Sequence, residues 1–115
     1  MTVRQLMDLI GARSLNDNAP LDSEITCGYT CDLLSWVLAH GKQGMAWCTV
    51  QTHVNVIAVA VLMEMACVIL VEGVEAEPAS LKKAQDEDMP VLATGKTAYE
   101  MSVLMGQAGV LPPAE

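Results

Sequence analysis

Met45-Ala46-Trp47-Cys48-Thr49-Val50-Gln51-Thr52-His53-Val54-Asn55-Val56, continuing through Ala66-Cys67-Val68-Ile69-Leu70-Val71-Glu72-Gly73, is the stretch that decides the fold. Its first part, Met45 to Gln51, predicts a strand; Asn55 to Ala66 predicts a helix; and Cys67 to Val71, dense in branched residues, predicts a strand buried on both faces. From Val54 to Met65 the helix is apolar nearly all round, which requires cover on more than one side. Strand, apolar helix and strand at this spacing form a parallel βαβ unit.

The pattern repeats toward the C-terminus. Pro78 suits the first turn of a helix running to about Glu87, whose wet face carries Lys82, Lys83, Asp86 and Glu87. Pro90 to Ala93 supplies a short strand and Thr97 to Gln107 a last helix, followed by Gly109 and Pro112-Pro113. Toward the N-terminus, Glu24 to Thr30 predicts a strand and Asp32 to His40 a helix ending at Gly41, with Thr30 or Asp32 as its cap. Val3, Leu6, Met7 and Ile10 share one helical face, with Thr2 as N-cap and Gly11 as the stop. Ala12 to Leu15 is a brief strand and Asn16 to Pro20 a turn. No linker or internal repeat interrupts the series. The expected architecture is α/β in three layers, helices on both faces of a mostly parallel sheet of about five strands, as one domain over residues 1–115.

Composition narrows the function. With 52% hydrophobic residues but no Phe, the core is aliphatic, and the apolar content is generous enough to suggest a homodimer interface. Six basic against fourteen acidic residues, a formal charge of −8, offer no stripe for a nucleic-acid backbone. The first residues lack the basic and then apolar run of a secretory signal, so a cytoplasmic location is expected. The apolar run Val56 to Val71 is too short for a membrane span and is broken by Glu64. Cys27, Cys31, Cys48 and Cys67 read as free thiols among apolar neighbours. A metal or redox site built from Cys27, Cys31 and Cys48 with His53 or His40 is the weaker alternative, because Cys27 and Cys31 lack the spacing of a zinc ribbon.

In parallel sheets, ligands gather beyond the carboxyl ends of the strands. Gln51-Thr52-His53-Val54-Asn55 lies at such an end, where amides at a helix start favour an anion; as a plain turn, Thr52 or Asn55 would cap the helix. Thr94-Gly95-Lys96-Thr97 looks like the end of a P-loop, but Pro90 stands where the motif needs its first Gly, so no triphosphatase site follows. A Gly and a Lys at a helix entrance can still meet a phosphate, or form a turn. His40 and His53 have no partnered nucleophile, and Glu72, Glu75 and Glu77 read as a solvated loop, so no catalytic set is assembled.

Ile25-Thr26-Cys27-Gly28-Tyr29 leading to Asp32-Leu33-Leu34-Ser35-Trp36-Val37, then Ala46 to Val56, Ala66 to Gly73, and Met89-Pro90-Val91-Leu92 before Thr97-Ala98-Tyr99-Glu100, resemble the DRTGG domain family over nearly the whole chain. The chain looks most like the short stand-alone members found in anaerobic bacteria. Thr52-His53 stand where that family has Asp-Arg, and Val71-Glu72-Gly73 where it has Thr-Gly-Gly, so only the last Gly is kept. The resemblance implies a regulatory, dimerising module with a fold similar to the N-terminal domain of HPr kinase/phosphorylase, in some settings contributing to nucleotide binding. The resulting expectation is a non-catalytic sensor of a small anionic ligand, needing no cofactor. Its site would be drawn from Gly28, Asp32, Gln51, Thr52, His53, Asn55, Gly73, Thr94, Gly95 and Lys96. A docking module that regulates a partner enzyme without a small ligand is the second reading.

Overall fold

The structure, a computed structural model, describes residues 1–16 and 19–114; the turn expected over residues 16–20 falls partly outside them. In chain order the elements are α1 (Val3–Ile10), β1 (Arg13–Ser14), β2 (Cys27–Thr30), α2 (Leu34–His40), β3 (Met45–Thr49), α3 (Val54–Leu62), β4 (Cys67–Leu70), α4 (Pro78–Asp86), β5 (Val91–Ala93) and α5 (Ala98–Gln107). The sheet order is β1-β5-β4-β3-β2; β2 to β5 are parallel and β1 runs antiparallel to β5. The α/β architecture with helices on both faces is therefore as the sequence pattern demands.

Alternation along the strands builds two cores. Met45, Trp47, Val68, Leu70 and Val91 face α2, α3 and α4 through Val37, Val56, Ile57, Ala60 and Ala84. Ala46, Cys48, Cys67, Ile69 and Leu92 face α1 and α5 through Val3, Leu6, Ile10, Met101 and Met105. All five residues of β3 are buried, which is why its sequence shows no polar alternation. The single large ring of the core, Trp47, satisfies its indole N–H on the Cys31 carbonyl at 2.8 Å.

Several element ends differ from the sequence expectation, each for a local reason. The second helix is capped by neither Thr30 nor Asp32: Leu33 holds the N-cap position without a side-chain bond, because the Asp32 carboxylate reaches back to β3. The third helix stops at Leu62 rather than Ala66, where Glu64 adopts φ 55° and the Met65 N–H closes on the Ala60 carbonyl. Its cap is His53 itself, whose Nδ1 accepts from the Asn55 N–H at 3.1 Å, rather than Thr52 or Asn55. The sheet lies beneath this helix and α2 and α4 flank it, yet Leu62 remains 69% exposed. Thr2 and Gly11 do cap α1, Thr2 in a capping box with Gln5 and Gly11 at φ 66°.

Asn16 fastens β1 to the rest. Its side chain is buried, donates to the Met89 carbonyl at 2.6 Å and accepts from the Val91 N–H at 3.0 Å, so one amide pins the entrance of β5. Asn16→Ala strands both backbone groups and is expected to cost about 2 to 3 kcal/mol. Urea denaturation measures it; a loss below about 0.5 kcal/mol would show that the pin does not hold the strand.

Candidate functional site

The chain leaves β4 toward α4 on one face of the sheet and leaves β5 toward α5 on the other. Adjacent parallel strands whose connections part to opposite faces open a crevice at their carboxyl ends, the place where such sheets bind ligands. Here the crevice has a volume of about 200 Å³ and is bordered by Gly73 and Val74 after β4, by Ala93, Thr94 and Gly95 at β5, and by Gly11 and Arg13. Arg13 enters because β1 pairs antiparallel with β5, setting Arg13 opposite Ala93. It makes no ion pair among the described residues.

The loop after β4 is shaped by two successive left-handed residues, Glu72 at φ 63° and Gly73 at φ 71°. Their amides donate to the carbonyls of Lys96 at 2.8 Å and Thr94 at 3.1 Å, which fastens this loop to the loop after β5. A left-handed conformation costs a non-glycine residue about 1 to 2 kcal/mol. Glu72 compensates with its carboxylate, which accepts from the Ala98 N–H at 2.9 Å and so caps α5 from outside. Thr97 and Glu100 complete that helix start as a capping box, each accepting from the other's N–H at 3.0 Å. The Thr97 backbone and hydroxyl, with a smaller contribution from Lys96, hold the Glu100 carboxyl below its ordinary range. The Thr97, Ala98 and Glu100 amides are thus engaged internally, and Lys96 acts near Glu100 while its own N–H bonds the Thr94 hydroxyl at 3.2 Å.

The ten residues singled out in the sequence divide into three groups. Gly73, Thr94 and Gly95 meet at the crevice, with Lys96 next to it. Asp32, Gln51, Thr52, His53 and Asn55 lie at the same sheet edge, where the first four engage side chains within the fold and Asn55 engages its backbone N–H. The Asp32 carboxylate accepts from the Thr49 hydroxyl at 2.8 Å and the Val50 N–H at 2.9 Å, and the Gln51 amide donates to the Asp32 carbonyl at 3.2 Å. Thr52 donates to Glu77 at 3.2 Å and its carbonyl accepts from Ser80 at 2.6 Å, binding the start of α3 to the start of α4. The void left there is only about 10 Å³, room for one water. Gly28 does not reach the carboxyl edge. It sits within β2, where a Cβ would lie 2.9 Å from Val110 Cγ1, so its lack of a side chain serves packing.

Arg13 was not singled out, and Glu72, read as part of a solvated loop, instead caps α5 with its carboxylate. Arg13 is one of six basic residues in the chain and follows the helix-ending Gly11, but only the antiparallel pairing of a two-residue strand brings it to the crevice. The thiols do not converge: among the described residues no three His, Cys, Asp or Glu side chains group closely enough for a metal. Burial pushes the Cys48 thiol up to about 12 and raises Cys67 as well, with the nearby Cys48 adding to the latter. Both are poor nucleophiles for that reason. In the native protein a thiol reagent should modify half-buried Cys31 first and leave Cys48 and Cys67 untouched; mass spectrometry of the alkylated protein reads the order, and early labelling of Cys67 would contradict it.

Two substitutions test the Glu72 loop. Glu72→Ala keeps the strain and loses the cap, for an expected cost of about 1 kcal/mol. Glu72→Gly loses the cap and the strain together and should lie close to the parent in urea melts. An alanine variant as stable as the glycine variant would remove the left-handed strain from the account.

No protein-family model matches the chain, and no curated protein matches it. Among solved structures, it is similar to the CBS and DRTGG domains of the regulatory region of Clostridium perfringens pyrophosphatase, determined with the activator diadenosine tetraphosphate. The TM-score is 0.72 at 14% identity, over 96% of this chain and 47% of that one, so the chain spans about half of its length. The likeness establishes a shared α/β fold.

Proposed function

We propose that the chain is a DRTGG-like regulatory module, without catalytic machinery of its own, that binds a small nucleotide-like or phosphorylated anion at the carboxyl edge of its sheet and works as a cytoplasmic homodimer. The observation that carries this reading is the crevice between β4 and β5, where Arg13 stands beside the exposed backbone of Gly73 and Gly95. An arginine fork beside glycines allows an anion to approach the backbone closely. The regulatory region of similar fold was determined with a phosphate-rich activator, which supports the same chemical class here. Lys96 adds positive charge beside the crevice. At Gln51–Asn55, by contrast, the Gln51 amide, the Thr52 hydroxyl and carbonyl and the Asn55 N–H are engaged within the fold and Glu77 adds negative charge, so this reading centres the site on the β4–β5 crevice.

A second reading, docking to a partner enzyme, draws on α2. Leu33 is 61% and Trp36 52% exposed, and Trp36 stacks on His40 at 4.3 Å, presenting a preformed aromatic surface. The same surface is available for the homodimer contact, and light scattering at micromolar concentration should give about twice the chain mass; a clean monomer would remove the dimer from the proposal.

A thermal-shift screen against nucleotides and phosphorylated metabolites tests the ligand, since binding to the native state alone raises the midpoint. Arg13→Ala should weaken any hit by about 1.5 to 3 kcal/mol, roughly tenfold to a hundredfold in Kd. Replacing both His53 and Asn55 by Ala should leave affinity nearly unchanged. The reverse pattern would return the site to the β3–α3 turn, and no hit at millimolar concentration would leave docking as the surviving reading.

A further inference from the structure

The two edges of the sheet are protected in different ways. β1 is two residues long and carries Arg13, and shortness and charge both discourage pairing with another chain. β2, the opposite edge, has neither defence: Cys27-Gly28-Tyr29-Thr30 holds no charge and no proline, and it pairs with β3 in regular register. In a parallel pair, alternate residues of the outer strand bond inward. The Cys31 N–H donates to the Cys48 carbonyl, which leaves the backbone groups of Gly28 and Thr30 directed outward.

The chain's own segment Val110–Ala114 stands against this edge. The Leu111 carbonyl accepts from the Gly28 N–H at 2.8 Å, and Val110 occupies the notch that Gly28 leaves. Val110 packs into the core shared with α5, whereas Pro113 and Ala114 border a cavity with Tyr29, His40 and Lys42 on the α2 side. The segment therefore crosses the sheet edge from one face to the other. Its hold is slight: Leu111 is 68% exposed, and Pro112 and Pro113 have no N–H with which to extend a ladder. A cavity of about 410 Å³ opens between it, Thr30 and Ser102.

We infer that Val110–Ala114 is a strap that keeps β2 from pairing with the β2 strand of a second copy, and that its release opens a homotypic strand-addition site. An antiparallel two-fold pair centred on Tyr29 sets Gly28 of each copy opposite Thr30 of the other, so the two outward-facing residues exchange both of their hydrogen bonds. The contact strand is neutral in a chain of net charge −8, which keeps like charge out of the pairing line and offers nothing for a charged heterologous strand to recognise.

The test compares the full chain with a chain ending at Gly109 and with full-length Val110→Asp, by light scattering and amide exchange at one concentration. Each variant should show about twice the particle mass of the full chain, whatever that baseline is, with the Thr30 amide newly protected. Adding Thr30→Lys, which puts a charge on the edge strand in place of the hydroxyl that meets Ser102 at 2.8 Å, should restore the full-chain mass. Circular dichroism checks folding; if the shortened chain does not fold, Val110→Asp decides. A folded variant of unchanged mass overturns the inference, as does a doubled mass that Thr30→Lys fails to reverse. A missing ligand response or a monomeric full chain bears on the proposed function and leaves this comparison intact.

Discussion

At the ends of β4 and β5 the chain parts to opposite faces of the sheet, and two backbone hydrogen bonds, from Glu72 to Lys96 and from Gly73 to Thr94, hold the exits together. Without them the two loops would be independent, each free to leave its own helix start to water. With them, the loop after β4 becomes part of the N-terminal cap of α5, because the Glu72 carboxylate reaches the Ala98 N–H. The packing of α5, with Met101 and Met105, against β2 and β3 depends on that helix being launched from a fixed point. The crevice is what remains between two exits pinned at one side and open toward β1.

This constraint explains why a glutamate occupies a backbone conformation suited to glycine. The strain at Glu72 and the cap it supplies are of similar size, so the loop keeps its shape at little net cost. The consequence for binding is electrostatic. A carboxylate committed to α5 makes the start of that helix a poor anion receptor, and the cation facing the crevice comes instead from β1, the one antiparallel strand. On the proposed reading, an anion at this edge would meet Arg13 and exposed backbone rather than a helix dipole.

How much of this could be read beforehand follows from the range of the interactions. The βαβ repeat, the fully buried β4, the Thr2 and Gly11 caps and the Pro78 helix start are local or periodic features, and they were legible. The cap of α3 was misassigned among three adjacent polar residues, since Thr52, His53 and Asn55 can all serve and only the contact between Thr52 and Glu77, twenty-five residues away, takes Thr52 out of use. Asp32 has the same history: its composition suits a cap, but Thr49 and Val50 claim it from a neighbouring strand. Gly28 was read as part of the ligand site, whereas its lack of a side chain makes room for Val110, a contact no spacing rule encodes. Arg13 was invisible because its role is fixed by the register of a two-residue strand.

The same division between local and distant contacts bears on how the edges of the sheet are protected. β1 carries its defence within its own sequence, so its edge is safe in any state in which the strand exists at all. Among the described residues, the outer backbone edge of β2 is covered by a segment far along the chain, through one backbone hydrogen bond and one side chain in a notch. Losing that cover uncovers the Gly28 notch at the rim of one core but breaks none of the strand pairs. The sheet can therefore lose its outer cover on β2 while every strand pair remains formed, which distinguishes a change of assembly from a loss of fold.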